Sequence, residues 1–402
     1  MPPPLYLYTS GYPYDGARDR TFIEPELGFL AKHFEQVVLV PYRGSGEKFG
    51  TPSNVMVDDT LMTHRLRRFM DPRNWLSAWL STDLRNEIQQ MPNARRAIWK
   101  RALTVMAVAR WSHKFSGSSI HYTHSLDSIT LGLVRGRSSP AERTVVSRCI
   151  GSDVNENQKS RRFIPFKGPA LKAVDHIFPC SEAMTKLLSQ QYPKLAHKMV
   201  TTRMGVPDPE FVSTPSRDGV RRVVSCGAMI PLKRYDLLAQ AMVKLARRQP
   251  GGRFEWRHIP LGPPDKKIIR LAKEGSPANL NIFIEDESIS VMGTYQSFPA
   301  DLFVHTSCSE GIPLVVMEAL SCGLPVLATD VGGVSELVDS TTGGLMPALI
   351  DAEKLTDCLW VMLQDSKALQ CKKKAARNRW KQRVNSDSNY ARFAKHLASL
   401  LR

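Results

Sequence analysis

The residues best suited to chemistry lie together between positions 301 and 338. The run Glu310-Gly-Ile-Pro-Leu is followed, eight positions after Glu310, by Glu318. Residues 302–306 read as a buried strand ending in a polar turn. Pro313 suits the first turn of a helix over 314–321, and Gly323 with Pro325 stops it. Residues 326–329 form the next parallel strand, which completes a βαβ unit. Ligands bind such sheets outside the carboxyl ends of the strands. There the backbone N–H groups of Gly311, Ile312 and Leu314, beside Pro313, and the positive end of the helix dipole face an anion. An ionised carboxylate at that place can only accept hydrogen bonds, and sugar hydroxyls are natural donors to it. The competing reading is that Glu310 and Glu318 merely cap the helix or form salt bridges.

These groups need elements to hold them. Residues 4–9 read as a first strand, followed by a turn from Gly11 to Gly16, a helix over 21–34 and a second strand at 37–41. Residues 60–117 read as several basic helices, and short strands return near 120–123, 144–147 and 176–180. A Pro-rich stretch at 205–219 breaks the pattern and is the best linker. A second α/β series starts at 222, with strands near 256–259, 301–306 and 325–329. The fold class is therefore α/β, with two doubly wound Rossmann-like domains facing a cleft. The expected division is 1–205, a linker at 206–219, 220–384, and a terminal helix over 385–402. A length of 402 residues suits two domains, and the 42% hydrophobic and 23% charged composition excludes a disordered chain. Neither a run of 18 apolar residues nor a basic leader ahead of an apolar segment occurs, so the expected location is the cytoplasm. The seven cysteines, odd in number and scattered, are expected as small buried hydrophobes in a reducing compartment.

The net charge of +17 is unevenly placed. Residues 60–203 hold 24 Lys and Arg against 9 Asp and Glu, so 15 of the 17 net charges lie there. Arg65, Arg67, Arg68, Arg95, Arg96, Lys100, Arg101, Lys159, Arg161, Arg162 and Lys167 alternate with Phe69, Trp75, Trp79, Ile98, Trp99 and Phe163. A basic surface with tryptophans suits the anionic face of a membrane. Phosphate-rich ligands, nucleic acid and a plain solvated surface are the other readings.

The run Glu310-Gly-Ile-Pro-Leu-x-x-x-Glu318-Ala, continued by Cys322-Gly-Leu-Pro-Val-x-Ala-x-Asp-Val-Gly-Gly, resembles the glutamate-x7-glutamate region of the retaining family 4 glycosyltransferases, which have the GT-B fold. The resemblance implies that Glu310 contacts the donor sugar, that Glu318 contacts the nucleotide ribose, and that the amides of residues 311–314 hold the diphosphate. The segment from Ser225 through Gly227 to Leu238 resembles the family's first donor-domain strand and helix, which implies that Lys233 reaches the diphosphate. Thr21-Phe-Ile-Glu-Pro-Glu-Leu, Ser147-Arg-Cys-Ile-Gly-Ser-Asp, Phe178-Pro-Cys-Ser-Glu, Trp380 and Asn389-Tyr390 resemble a branch that builds bacterial polysaccharides. By the same resemblance the terminal helix crosses back onto the first domain.

The chain departs from the family in places. Ala228 stands where an arginine is usual, so Arg234, or else Arg203, is expected to supply the charge. Ile150 stands where many relatives have a histidine, and the stretch 279–295 looks rewritten. Expected catalytic groups are Glu310, Lys233 and Asp153, with Gly16, His124 and Asp153 on the acceptor side; His121 is a further candidate. Glu285-Asp286-Glu287 reads as a solvated loop, and neither a metal nor another cofactor is expected. The implied partners are a nucleotide sugar, a glycan or lipid-linked acceptor and an anionic membrane surface at the inner face of the plasma membrane, without nucleic acid. The alternative is a degenerate GT-B protein that binds nucleotide or glycan without turnover.

Overall fold

The computed structural model describes residues 3–17, 19–67, 69–139, 142–154, 163–286 and 289–400. The chain divides into two compact units, Met1–Met204 with Ser386–Arg402, and Gly205–Asn385.

The first unit is built on six parallel strands, β1 (Leu5–Thr9), β2 (Val37–Pro41), β3 (Val55–Val57), β4 (Ser119–Thr123), β5 (Arg143–Cys149) and β6 (His176–Pro179), in the order β3-β2-β1-β4-β5-β6. Every residue of β2 is buried, as a parallel strand with helices on both faces requires. Leu5, Leu7, Leu39, Ile120 and Val146 supply the core, covered by Ile23, Leu27 and Leu30 of the helix Arg20–His33. The helix Ser386–Ser399 packs against that same helix and completes this unit. Its Phe393 ring stands edge-on to Phe178 at 5.1 Å and to Tyr122 at 5.4 Å. Beside it, the buried Arg148 guanidinium pairs with Glu26 at 2.9 Å and donates to the Tyr122 hydroxyl at 2.8 Å. Asn389 Nδ2 donates to the Met204 carbonyl at 2.9 Å. Segments that carry the family resemblance thus serve internal packing here.

The second unit contains β7 (Val220–Gly227), β8 (Arg253–Pro260), β9 (Leu280–Ile284), β10 (Leu302–His305), β11 (Val326–Thr329) and β12 (Gly343–Met346), all parallel, in the order β12-β11-β10-β7-β8-β9. Counted from its own first strand, each unit therefore has the order 3-2-1-4-5-6. The direction of winding reverses between the first and fourth strands, and that switch point is where open α/β sheets bind ligands. It lies at β1/β4 in one unit and β7/β10 in the other.

The structure adds elements that the sequence pattern hid. Strand β3 is only three residues long, and β9 is an edge strand with alternating burial inside the stretch read as rewritten. The Pro-rich stretch is no free linker. Ser213 N–H donates to the Cys322 carbonyl at 2.9 Å and Ser216 Oγ to the Pro299 carbonyl at 2.8 Å, so it packs onto the second unit. All seven cysteines are free; Cys308 and Cys371 are exposed, contrary to the expectation of burial. Among the described residues no helix is long and apolar enough to cross a membrane.

Candidate functional site

Lys233 and Glu310 arrive at the second unit's switch point from two different strands. After β7 the chain turns at Gly227, whose φ of +150° and nearness to the Tyr235 hydroxyl, 2.4 Å from where a Cβ would stand, admit only glycine. The turn that follows is stitched to the loop after β10. Thr306 Oγ1 donates to the Lys233 carbonyl at 2.7 Å and the Cys308 N–H to the Leu232 carbonyl at 2.9 Å. A second brace comes from behind. Gly333 N–H donates to the Gly311 carbonyl at 2.8 Å, and Gly332 lies at φ +56° with its absent Cβ only 2.0 Å from the Glu310 carbonyl oxygen. The Val-Gly-Gly run after β11 is glycine-rich because the Glu310 loop rests on it.

Held in this way, Glu310 Oε1 accepts from the Lys233 ammonium and from His305 Nε2, the latter at 2.9 Å. Burial alone would raise the Glu310 carboxyl. The hydrogen bond from His305 and the charge of Lys233 outweigh it and hold the group down at about 2. Glu310 is therefore a fixed anion at neutral pH. His305, fully buried at the carboxyl end of β10, escaped the sequence reading; its place five residues before Glu310 on a strand end was the available signal. Its Nδ1 is buried with no partner among the described residues.

Pro313 is the N-cap of the helix Leu314–Ser321, one position earlier than the sequence suggested. The N–H groups of Gly311 and Ile312 make no hydrogen bond among the described residues, so the loop before this helix offers free donors. Glu318 sits in the helix with no charged or hydrogen-bonding partner among the described residues to offset burial, which lifts its carboxyl to about 7. Arg234, expected to supply the charge of the missing arginine, is anchored through one nitrogen, and its buried Nη2 has no partner among the described residues. It stands at φ +52°, and its Nε donates to the Thr306 carbonyl at 2.8 Å. Arg203 is paired with Glu182 in the first unit. With Ala228 in the arginine's place, Lys233 is the cation paired with Glu310.

The first unit has a cavity of about 600 Å³ at its own switch point, lined among others by Thr9, Ser10, Asp19, Arg43, Lys100 and His124. Asp19, which sequence reasoning passed over, fastens the loop after β1: its carboxylate accepts from the N–H groups of Ser10, Gly11 and Tyr12 at 2.5, 3.2 and 3.1 Å. Its N-cap position ahead of the helix was the only hint. Gly16 lies farther out, at φ +70° in an open turn, and does not line the cavity. His124 does line it. Burial, then the charge of Arg148, push its imidazole down to about 3, and its buried Nε2 has no partner among the described residues. Asp153 is a clamp. Its oxygens accept from Ser125 Oγ at 2.7 Å, from the Leu126 and Ile150 N–H groups at 3.1 Å each and from Ser152 Oγ at 3.2 Å, while burial still raises it to about 6. His121 is a core residue, stacked on Tyr6 and bonded to the Tyr8 hydroxyl at 2.7 Å. Glu285 pairs with Arg257 at 2.9 Å; Glu287 lies outside the described residues, as do Arg68, Lys159, Arg161 and Arg162. Among the described residues no three His, Cys, Asp or Glu side chains gather as a metal site.

The family model for glycosyl transferases group 1 matches residues 208–379, nearly the whole second unit. Residues 208–379 are thus similar to a glycosyl transferase group 1 domain. Similar curated proteins include a D-inositol 3-phosphate glycosyltransferase of Mycolicibacterium smegmatis, 32% identical over 47% of this chain and 46% of that one. Others are the lipopolysaccharide core biosynthesis mannosyltransferase LpsB of Rhizobium meliloti (28%, over 48% and 57%) and the amylovoran biosynthesis glycosyltransferase AmsK of Erwinia amylovora (26%, over 54% of each). The chain spans about half to two thirds of the length of the curated relatives it matches. Solved structures that match along almost the full chain include sucrose-phosphate synthase from Thermosynechococcus elongatus (TM-score 0.72, 15% identity, 100% of this chain and 99% of that one). The lipopolysaccharide outer core galactosyltransferase WaaB (0.68, 13%, 99% of each) and Anabaena Alr3699/HepE in complex with UDP (0.63, 18%, 100% of each) also match. These likenesses establish the fold, GT-B with two α/β units.

Proposed function

We propose that this protein is a retaining glycosyltransferase that moves a hexosyl group from a nucleotide-diphosphate sugar to a glycan or lipid-linked acceptor during synthesis of a cell-surface polysaccharide. The observation that carries the reading is the group formed by Lys233, His305 and Glu310 at the β7/β10 switch point, with Glu318 farther along the adjoining helix. The donor would lie on the second unit. Its ribose hydroxyls would donate to Glu318, and its diphosphate would draw on Lys233 and the free amides of Gly311 and Ile312. Glu310, ionised and oriented from two sides, would accept from the sugar hydroxyls.

As the bond to the sugar breaks, negative charge grows on the leaving diphosphate. Fixed donors that face this charge are usually the largest catalytic contribution. The reading places the acceptor at the first unit's cavity, assigns no side-chain nucleophile and calls for no metal ion or other cofactor. It sets the protein to work in the cytoplasm at the inner face of the plasma membrane. Names among the similar proteins point the same way: HepE was solved with UDP, and LpsB and AmsK are named for lipopolysaccharide core and amylovoran synthesis.

Calorimetric titration with UDP, GDP, dTDP and ADP tests the donor site. The reading requires preference for one nucleotide, weakened by Lys233→Ala and by Glu318→Gln, and turnover of the matching sugar nucleotide that survives a chelator. Ala228 and the engagement of Arg234 with Thr306 favour a second reading, a GT-B protein that binds nucleotide without transfer. Binding with neither transfer nor hydrolysis across acceptors would select it, and absence of any nucleotide binding would remove both.

A further inference from the structure

We infer that the first unit docks on an anionic lipid surface through the helix Pro72–Trp79 and the turns on either side of it. This helix is inside out for a protein in water. Its buried residues are Asn74 and Ala78, one turn apart and small or polar. They face the long helix Arg95–Ser112, from which Arg110 Nε donates to Asn74 Oδ1 at 3.0 Å and Arg110 Nη2 to the Arg73 carbonyl and to Ser77 Oγ at 2.9 Å each. The outward side holds Trp75, Leu76 and Trp79, which are 43%, 60% and 64% exposed, and Phe69, Met70 and Leu80 continue the patch at its ends. A soluble surface helix buries its apolar stripe and exposes its polar one. Here the order is reversed, and a patch of this kind marks an interaction surface.

Charge selects the partner. Trp75 lies 5.6 Å from Trp99, which follows the exposed Arg95 and Arg96 by one helical turn. Arg67 and Arg85, on the segments that flank this helix in sequence, are exposed. The helix Arg95–Ser112 opens with no acidic residue in its first turn to offset Arg95 and Arg96. Nearby acids are already engaged: Asp71 pairs with Arg73, Asp83 with Arg135, and Glu87 is buried. A second copy of this chain would bring the same positive field against itself. Nucleic acid would satisfy the arginines but offers no apolar interior for Met70, Leu76 and Leu80. An anionic bilayer satisfies both, with arginines at the phosphates and tryptophans in the interfacial layer.

The test uses the full chain, phosphatidylcholine vesicles with and without phosphatidylglycerol, low salt, and neither nucleotide sugar nor acceptor. It is therefore independent of the transfer reading, and either can fail alone. Binding to the anionic vesicles should be at least about tenfold tighter than to neutral ones. Trp75→Ser with Leu76→Ser and Trp79→Ser should cost about tenfold or more in binding, and Leu76→Ser with Trp79→Ser, which leaves the Trp75 contact to Trp99 in place, should weaken binding with little change in the melting profile. Brominated acyl chains should quench tryptophan fluorescence in the parent and less so in the conservative variant Trp75→Phe with Trp79→Phe. Arg95→Glu with Arg96→Glu should remove the preference for anionic lipid. Undiminished binding by the triple serine variant, or no quenching by brominated chains, would overturn the proposal. So would concentration-dependent self-association that the serine variant abolishes, because a second copy would then cover the patch.

Discussion

Glu318 offers the sharpest check, because the same carboxyl should weaken the fold and strengthen binding. Its pKa is lifted from an ordinary 4.5 to about 7 by burial alone. The folded state thus keeps a proton that the unfolded chain gives up. Stability falls as pH rises from about 4.5 to about 7 and is flat beyond, since the unfolded state binds fewer protons across that window. A shift of this size corresponds to roughly 3 kcal/mol at pH 8, at about 1.4 kcal/mol per unit. Glu318→Gln removes the charge and keeps the shape, so it should stabilise the second unit by about 1–3 kcal/mol at pH 8 and by little at pH 4.5. Urea unfolding of both proteins at the two pH values isolates the difference from every other titrating group. The same variant should bind the nucleotide sugar more weakly. In the parent, a ribose that donates to the carboxylate must first displace the proton, so binding should weaken up to about tenfold between pH 8 and pH 6. A glutamine variant that is no more stable than the parent at pH 8, or that shows the same pH-dependent loss of stability, would refute the reasoning.

Lys233→Ala should weaken a nucleoside diphosphate by about 10- to 100-fold, the effect of losing one charge-assisted hydrogen bond, while leaving the nucleoside nearly unaffected; calorimetry with the two ligands separates them. Gly332→Ala forces a Cβ to within 2.0 Å of the Glu310 carbonyl at a φ of +56°. It should cost about 1–3 kcal/mol and lower nucleotide affinity as well, measured by unfolding and titration. Glu26→Ala strands the buried Arg148 and should destabilise the first unit by about 3–5 kcal/mol in the same unfolding assay, with no change in nucleotide affinity. Asp19→Ala releases the amides of residues 10–12; the prediction is faster hydrogen exchange in that loop with the second unit unaffected.

Much of the second unit was legible because its signals are local. The apolar runs at 302–305 and 326–329, the stop at Gly323 and Pro325, and the paired glutamates all lie within one βαβ stretch, where spacing alone fixes what shares a strand end or a helix. Edge strands such as β9, and β3 with its three residues, carry too little pattern to be seen. The type and motif position of Asp153 say nothing about which donors surround it. The tertiary structure surrounds its carboxylate with two backbone N–H groups and two serine hydroxyls.

The sequence by itself determined the two α/β series, the concentration of positive charge between residues 60 and 203, and the chemical types available near Glu310. Tertiary structure decided which of these meet. Lys233 and Glu310 are 77 residues apart and become partners only because β7 and β10 are neighbours where the sheet order reverses. His305 joins them because β10 ends one turn short of the loop that Gly332 and Gly333 hold in place. The tryptophans at 75 and 79 face outward for a similar reason. Arg110, more than thirty residues later, draws the polar side of their helix inward, a preference no local pattern can state. Hydrophobic periodicity ranks positions by their own side chains, whereas burial is set by whatever the fold brings opposite them.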